Sequence, residues 1–165
     1  LPIRLSPYES IVVVAGRGID GMVATSEMSA PDSVMAIAGP WSVAHATSEQ
    51  YPSFEGAAEL EKLVDMSRPG MLPTFSGTFR YETEFDWAAS ANRVSLDLGE
   101  VYETAQVWVN GQDAGTRICP PYRVEIGALL RAGSNKLAVE VTNTLVKQQR
   151  DWLSRHVPEE PVFAG

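Results

Sequence analysis

What the chain has little of narrows the field first. A single cysteine, Cys119, rules out an intramolecular disulfide, so the fold rests on its core and thiol usage says nothing about compartment. Two histidines, His45 and His156, provide no multi-histidine metal cluster and restrict any nucleophile-histidine relay to one of them. Basic residues are also short. Against 21 Asp and Glu stand 13 Lys and Arg, a formal net charge of -8 that opposes nucleic acid or an anionic membrane surface as partner. No apolar run approaches the roughly 18 residues a membrane-spanning helix requires. The chain opens at Leu1, and LPIRLSPYESIVVV lacks the ordered basic, apolar and small-residue regions of a signal peptide, so it reads as an excised piece of a longer protein.

What is present is a hydrophobic fraction of 44% over 165 residues, enough to bury one real core. The strongest local signal lies in TAQVWVNGQDAGTRICPPYRVEI, residues 104–126. Ala105, Val107 and Val109 alternate with Gln106, Trp108 and Asn110, the period-two pattern of a strand with one buried face. Asn110-Gly111 tolerates the positive φ values of a type I′ turn, so the chain should reverse there and return through 113–119. Pro120-Pro121 stops the return strand, and Tyr122, Val124 and Ile126 begin a new alternation. Cys119, in this proline-flanked β setting, is expected to be a buried structural thiol.

Upstream, Ile11–Val14 form a β-branched run, followed by Gly16-Arg17-Gly18-Ile19-Asp20-Gly21, which matches GxGxxG. A dinucleotide-binding reading fails on context: Pro31 cuts short any following helix, and the next apolar strand ends in Gly39-Pro40 without a ribose-binding acid. Residues 34–47 read as two strands interrupted at Gly39-Pro40, with His45 simply packed or half-exposed. AAELEKLVDM, residues 57–66, has apolar residues near helical spacing and predicts a short surface helix.

From Gly77 the pattern becomes regular. Phe79, Tyr81, Thr83, Phe85 and Trp87 share one strand face, which predicts core packing rather than a sugar-stacking stripe, and Arg80, Glu82, Glu84 and Asp86 share the wet one. Glu82 and Glu84, two apart on that wet face, read as solvated charges rather than an acid/base pair. Further strands are expected near 93–98 and 136–142, with one helical turn at 127–130 and an amphipathic helix over 144–156. Turns at roughly ten-residue spacing without long intervening helices predict an all-β antiparallel sandwich.

The ordered set FSGTFRYETEF (75–85), a strand ending in LDLG (96–99), the VWVNG hairpin (107–111), PPYR (120–123) and GSNKL (133–137) resembles the family-two-type sugar-binding, galactose-binding-like jelly-roll domain of glycoside hydrolases. The likeness is closest to the C-terminal domain of large bacterial α-L-rhamnosidases. It implies a jelly-roll β-sandwich, a non-catalytic carbohydrate-binding or substrate-orienting accessory role, and a catalytic domain elsewhere in the same polypeptide as the second partner. No catalytic residue and no cofactor is expected in this chain. The resemblance leaves room for a structural calcium ion, although no D-x-D-x-D-G spacing occurs.

Under this reading residues 1–15 are the last strand of a preceding domain or an N-terminal strand, 16–74 a loop-rich segment packing on the sandwich, 75–143 its core, and 144–165 a C-terminal extension. For sugar contact the candidates are Trp108, Asn110, Arg117 and Tyr122, since aromatic faces meet pyranose C–H faces while Arg and Asn meet vicinal hydroxyls, with Tyr122 and Arg117 as the apolar and polar halves of recognition. The competing expectation is a purely structural module bracing the catalytic domain, with Leu145, Trp152 and Phe163 as its apolar contacts.

Overall fold

The computed structural model describes residues 33–88 and 93–146. Eight antiparallel strands run through them: β1 Trp41–Ala46, β2 Glu55–Leu60, β3 Thr78–Trp87, β4 Ser95–Asp97, β5 Thr104–Val109, β6 Gln112–Arg117, β7 Arg123–Glu125 and β8 Gly133–Thr142. Six form one sheet in the order β2-β1-β3-β8-β5-β6, and β4 pairs with β7 in a second. The two sheets enclose the core as an antiparallel sandwich. The strands expected from 77 to 142 are all present, with the single 3-10 turn Gly127–Leu129 between β7 and β8.

Alternation decides which face is covered. Phe79 on β3, Ala105, Val107 and Val109 on β5, and Leu137 and Val139 on β8 are buried together with Trp41 and Val43 of β1 and Val124 of β7. Tyr81 and Phe85 pack against this cluster, so the aromatic stripe of β3 faces the core. Burial pushes the Tyr81 phenol up to about 12, with the Asp65 charge adding to the effect. His45 is half-buried edge-on to Phe75, with ring centroids 5.0 Å apart.

The β5–β6 hairpin closes through Asn110 at φ 53 and Gly111 at φ 78, between the paired residues Val109 and Gln112. A bulge follows, because Val107 pairs with Gly115 while Trp108 pairs with Asp113, leaving Ala114 as the extra residue. Asp113 accepts a 2.8 Å hydrogen bond from the Gly115 N–H, closing this kink locally. One inserted residue flips the parity of the rest of the strand. Thr116 therefore stands opposite Gln106 on the outer face rather than opposite Ala105 in the core.

Three local expectations change. The helix expected over 57–66 is absent: residues 55–60 are strand β2, paired with β1, followed by bends. Pairing to β1 satisfies the backbone there and overrides a weak helical spacing. Residues 34–40 form no strand, and only the second half of the expected pair, β1, is extended in the sheet. Cys119 is exposed, since β6 ends at Arg117 and the thiol falls in the turn that follows. Both β1 and β2 come from the stretch expected to be loop-rich and are members of the main sheet. The strand expected in 1–15, the glycine-rich 16–21, all but the first three residues of the helix expected over 144–156, and Trp152 and Phe163 lie outside the described residues.

Candidate functional site

The outer face of the six-stranded sheet is polar, and its chemistry follows from strand register. Glu140, on the interior strand β8, stands between Arg80 of β3 and Gln106 of β5, and Gln106 in turn faces Thr116 of β6. One step along the sheet, Thr142 stands between Thr78 and Thr104. Apart from Arg80, which stands beside it, these two rows form the floor of an open depression of about 340 Å³, at the small end of ligand-pocket sizes. Ser48 and Tyr51 line it from the segment between β1 and β2.

A charge is buried in this floor. Glu140 is only 6% exposed, so its carboxylate must be compensated inside the protein. Arg80 Nη1 donates to Glu140 Oε1 at 2.7 Å, and the Tyr51 hydroxyl donates to Glu140 Oε2 at 3.0 Å. Arg80 also reaches Glu82 Oε1 through Nε at 3.0 Å and Nη2 at 2.8 Å. Its guanidinium lies 5.7 Å from the Phe54 ring centroid and 5.8 Å from that of Trp108. Burial alone would lower the Arg80 pKa, but the hydrogen bonds and charges of Glu82 and Glu140 outweigh it and raise the value. The Tyr51 phenol is held above its ordinary value, first because its proton is donated to Glu140, then through desolvation and the carboxylate charge. At neutral pH the depression thus presents a phenol and five Ser or Thr hydroxyls, an amide, and a carboxylate whose charge is already engaged.

The four residues expected to contact sugar are not brought together. Trp108 lies on the outer face, two residues beyond Gln106 on β5, half-buried and with Arg80 over its ring. Asn110 donates to the Leu129 carbonyl and to Asn135 Oδ1, both at 2.9 Å, and accepts from the Lys136 N–H at 3.0 Å. Arg117 donates through Nε to the Arg123 carbonyl at 2.6 Å and through Nη1 to its neighbour Thr116 at 2.9 Å. Tyr122 is buried, and its hydroxyl donates to the Glu103 carbonyl at 2.7 Å. Burial pushes its phenol pKa up, with the Glu103 charge and then Cys119 adding. The residues that sequence reading missed are Tyr51, Gln106, Glu140 and the threonines. The signal for three of these was the same alternation that located the core: a central strand carrying a carboxylate in AVEVT marks a second covered face. Tyr51 had no local signal, because its place depends on how a connecting segment folds over the sheet.

Among the described residues no three His, Cys, Asp or Glu side chains are grouped to hold a metal. Nor is any helix among them long and apolar enough to cross a membrane.

Comparison with known proteins agrees with this fold and places it. A protein of Formosa agariphila, provisionally named beta-glucuronidase, is 31% identical over 144 residues, which is 84% of this chain and 12% of that protein. The structure of a rhamnosidase from Novosphingobium sp. PP1Y superposes with a TM-score of 0.65 at 29% identity, over 83% of this chain and 13% of the rhamnosidase. A Ruminococcus gnavus beta-glucuronidase shares the fold with a TM-score of 0.53 at 20% identity, over 66% of this chain and 20% of that enzyme. The chain thus spans between 12% and 20% of the length of these relatives. Residues 72–161 match the family described as glycosyl hydrolase 2 galactose-binding domain-like, a range that holds strands β3 to β8. The chain belongs to the glycosyl hydrolase 2 galactose-binding domain-like family.

Proposed function

We propose that this chain is a non-catalytic carbohydrate-binding or substrate-orienting domain of a larger glycoside hydrolase, rhamnosidase-like in its parent activity. The observation that carries the binding half is the depression on the outer sheet face, where hydroxyls, an amide and a carboxylate converge beside the half-exposed ring of Tyr51. Such a set meets vicinal sugar hydroxyls with paired donors and acceptors and meets a pyranose C–H face with an aromatic ring. Trp108 stands two residues beyond Gln106 on β5, with the Arg80 guanidinium over its ring. The rhamnosidase likeness, at the higher TM-score and 29% identity, supports the parent activity.

Binding should be weak, with a dissociation constant of about 1 mM, because one ring contact and two or three net hydrogen bonds supply only about 4 kcal/mol. Chemical-shift titration with rhamnose, galactose and plant-polysaccharide fragments tests it. Saturable shifts at Tyr51, Gln106, Thr116 and Thr142 are expected. Shifts gathered instead at Asn110, Arg117 and Tyr122 would move the sugar to the hairpin side and keep the function.

A second reading, a structural module bracing a catalytic domain of the same polypeptide, has its own observation. Tyr102 is 68% exposed, Ile118 74%, Leu145 54% and Val146 51%, and all follow or precede the strand ends where Thr104 of β5 pairs with Thr142 of β8. Exposed apolar side chains at one end of a sheet are what an interface separated from its partner leaves behind. No shift with any glycan, together with tight association with a separately expressed catalytic domain, would favour that reading.

A further inference from the structure

We propose that the depression on the outer sheet face selects neutral sugar units and rejects uronates; this rests on the carbohydrate-binding reading above and names the ligand class of that site. A charged sugar differs from a neutral one chiefly by a carboxylate, so selection turns on what formal charge meets it. The one ionised side chain that lines the depression is the Glu140 carboxylate. The adjacent cation, Arg80, is held between Glu82 and Glu140, and one guanidinium between two carboxylates leaves a surplus of negative charge. Three of its N–H groups are engaged by those oxygens, so the Nε–Nη2 edge that would form a bidentate pair with a carboxylate is already taken by Glu82.

The remaining lining is neutral. Ser48, Gln106 and the threonines donate and accept equally well, which suits hydroxyls of either role. Tyr51, whose proton is committed to Glu140, keeps the same charge state across the neutral range and offers its ring. A uronate placed here would lose hydration of its carboxylate, face a like charge at short range, and gain no cation. The chain's formal net charge of -8 adds a repulsive field at long range.

The test is a chemical-shift titration of the whole chain at low ionic strength with matched pairs that differ only at C6: methyl glucoside against methyl glucuronide, and methyl galactoside against methyl galacturonide. At the amides of Tyr51, Gln106, Thr116 and Thr142, the neutral member of a pair should bind at least about tenfold more tightly, with the gap narrowing as salt is added. Thr116→Lys, at an exposed position on an edge strand, puts a cation at the rim and should raise uronate affinity relative to the neutral partner by about tenfold. A uronate that binds these amides as tightly as its neutral partner, or a Thr116→Lys ratio unchanged in a folded variant, overturns the charge selection while sugar binding stands. Absence of shifts at these amides with every sugar overturns the site itself.

Discussion

At the scale of single residues, the two asparagines of the family-like motifs act as a clasp. Asn135 is fully buried, accepts from Asn110 Nδ2 and the Arg131 N–H, and donates to the Arg131 and Gly133 carbonyls. Its side chain therefore ties the turn before β8 to the β5–β6 hairpin. Asn135→Ala would strand several buried partners at once and should cost on the order of 3 kcal/mol, read from denaturant midpoints at constant slope. Asn135→Asp is a useful control, since it keeps the acceptor and loses both amide donations. Gly111 has a different task. At φ 78 a β-carbon is strained, yet open space surrounds the position, so Gly111→Ala should lose only about 1 kcal/mol through backbone conformation. An unchanged midpoint would mean that the hairpin turn tolerates a side chain and that its glycine is not what sets the register.

At the scale of elements, the strands from β3 to β8 were legible because alternation, Asn-Gly and the prolines agree on the same register. β2 was not. Its six residues are exposed or half-exposed on both faces, so no period-two pattern exists to read, and only pairing with β1 makes it a strand. The depression is lined by none of the four residues that the sequence put forward for sugar contact. Trp108 was placed on an accessible face, but Asn110 and Tyr122, which have the right chemistry for sugar, turn out to spend it within the fold. Local sequence does not say which polar groups the tertiary structure will use. The β4–β7 pair offers a pH test at this scale. Asp97 lies below its ordinary value of 3.8, chiefly through the Gly99 N–H, opposed by desolvation and aided by Arg123 at 2.8 Å. A depressed carboxylate contributes stability that is full above the ordinary value and is lost as pH falls through the lower folded one. Because both partners are about half exposed, solvent screening keeps the contribution under about 1 kcal/mol. Asp97→Asn should be less stable than the parent at neutral pH by that amount, and the difference should close as pH falls through the lowered folded value, measured by denaturant titration. A difference that persists in acid would show that charge is not its cause.

At the scale of the whole molecule, one face of the main sheet builds the core and the other holds a compensated charge, and that division bears on catalysis. Hydrolysis of a glycoside needs two carboxyl groups across a sugar-sized gap, one protonated to serve the leaving group and one free to act as nucleophile or base. In the depression Glu140 is buried, and its two oxygens are committed to Arg80 and Tyr51. Glu82, the next carboxylate, lies on the far side of Arg80 and is bound to that guanidinium. Both oxygens of this buried acid are thus hydrogen-bonded within the fold, and among the described residues no second carboxyl group faces it across a sugar-sized gap in the depression. The chain should therefore leave aryl rhamnosides and aryl glucuronides intact over prolonged incubation, with release of the chromogenic phenol no faster than in buffer. Turnover that survives rigorous purification and disappears on Glu140→Gln, in a variant that keeps the parent's far-UV spectrum, would overturn the accessory reading and put the acid in this depression. Turnover unaffected by that substitution would overturn it equally, and would place the carboxyl pair elsewhere in the chain.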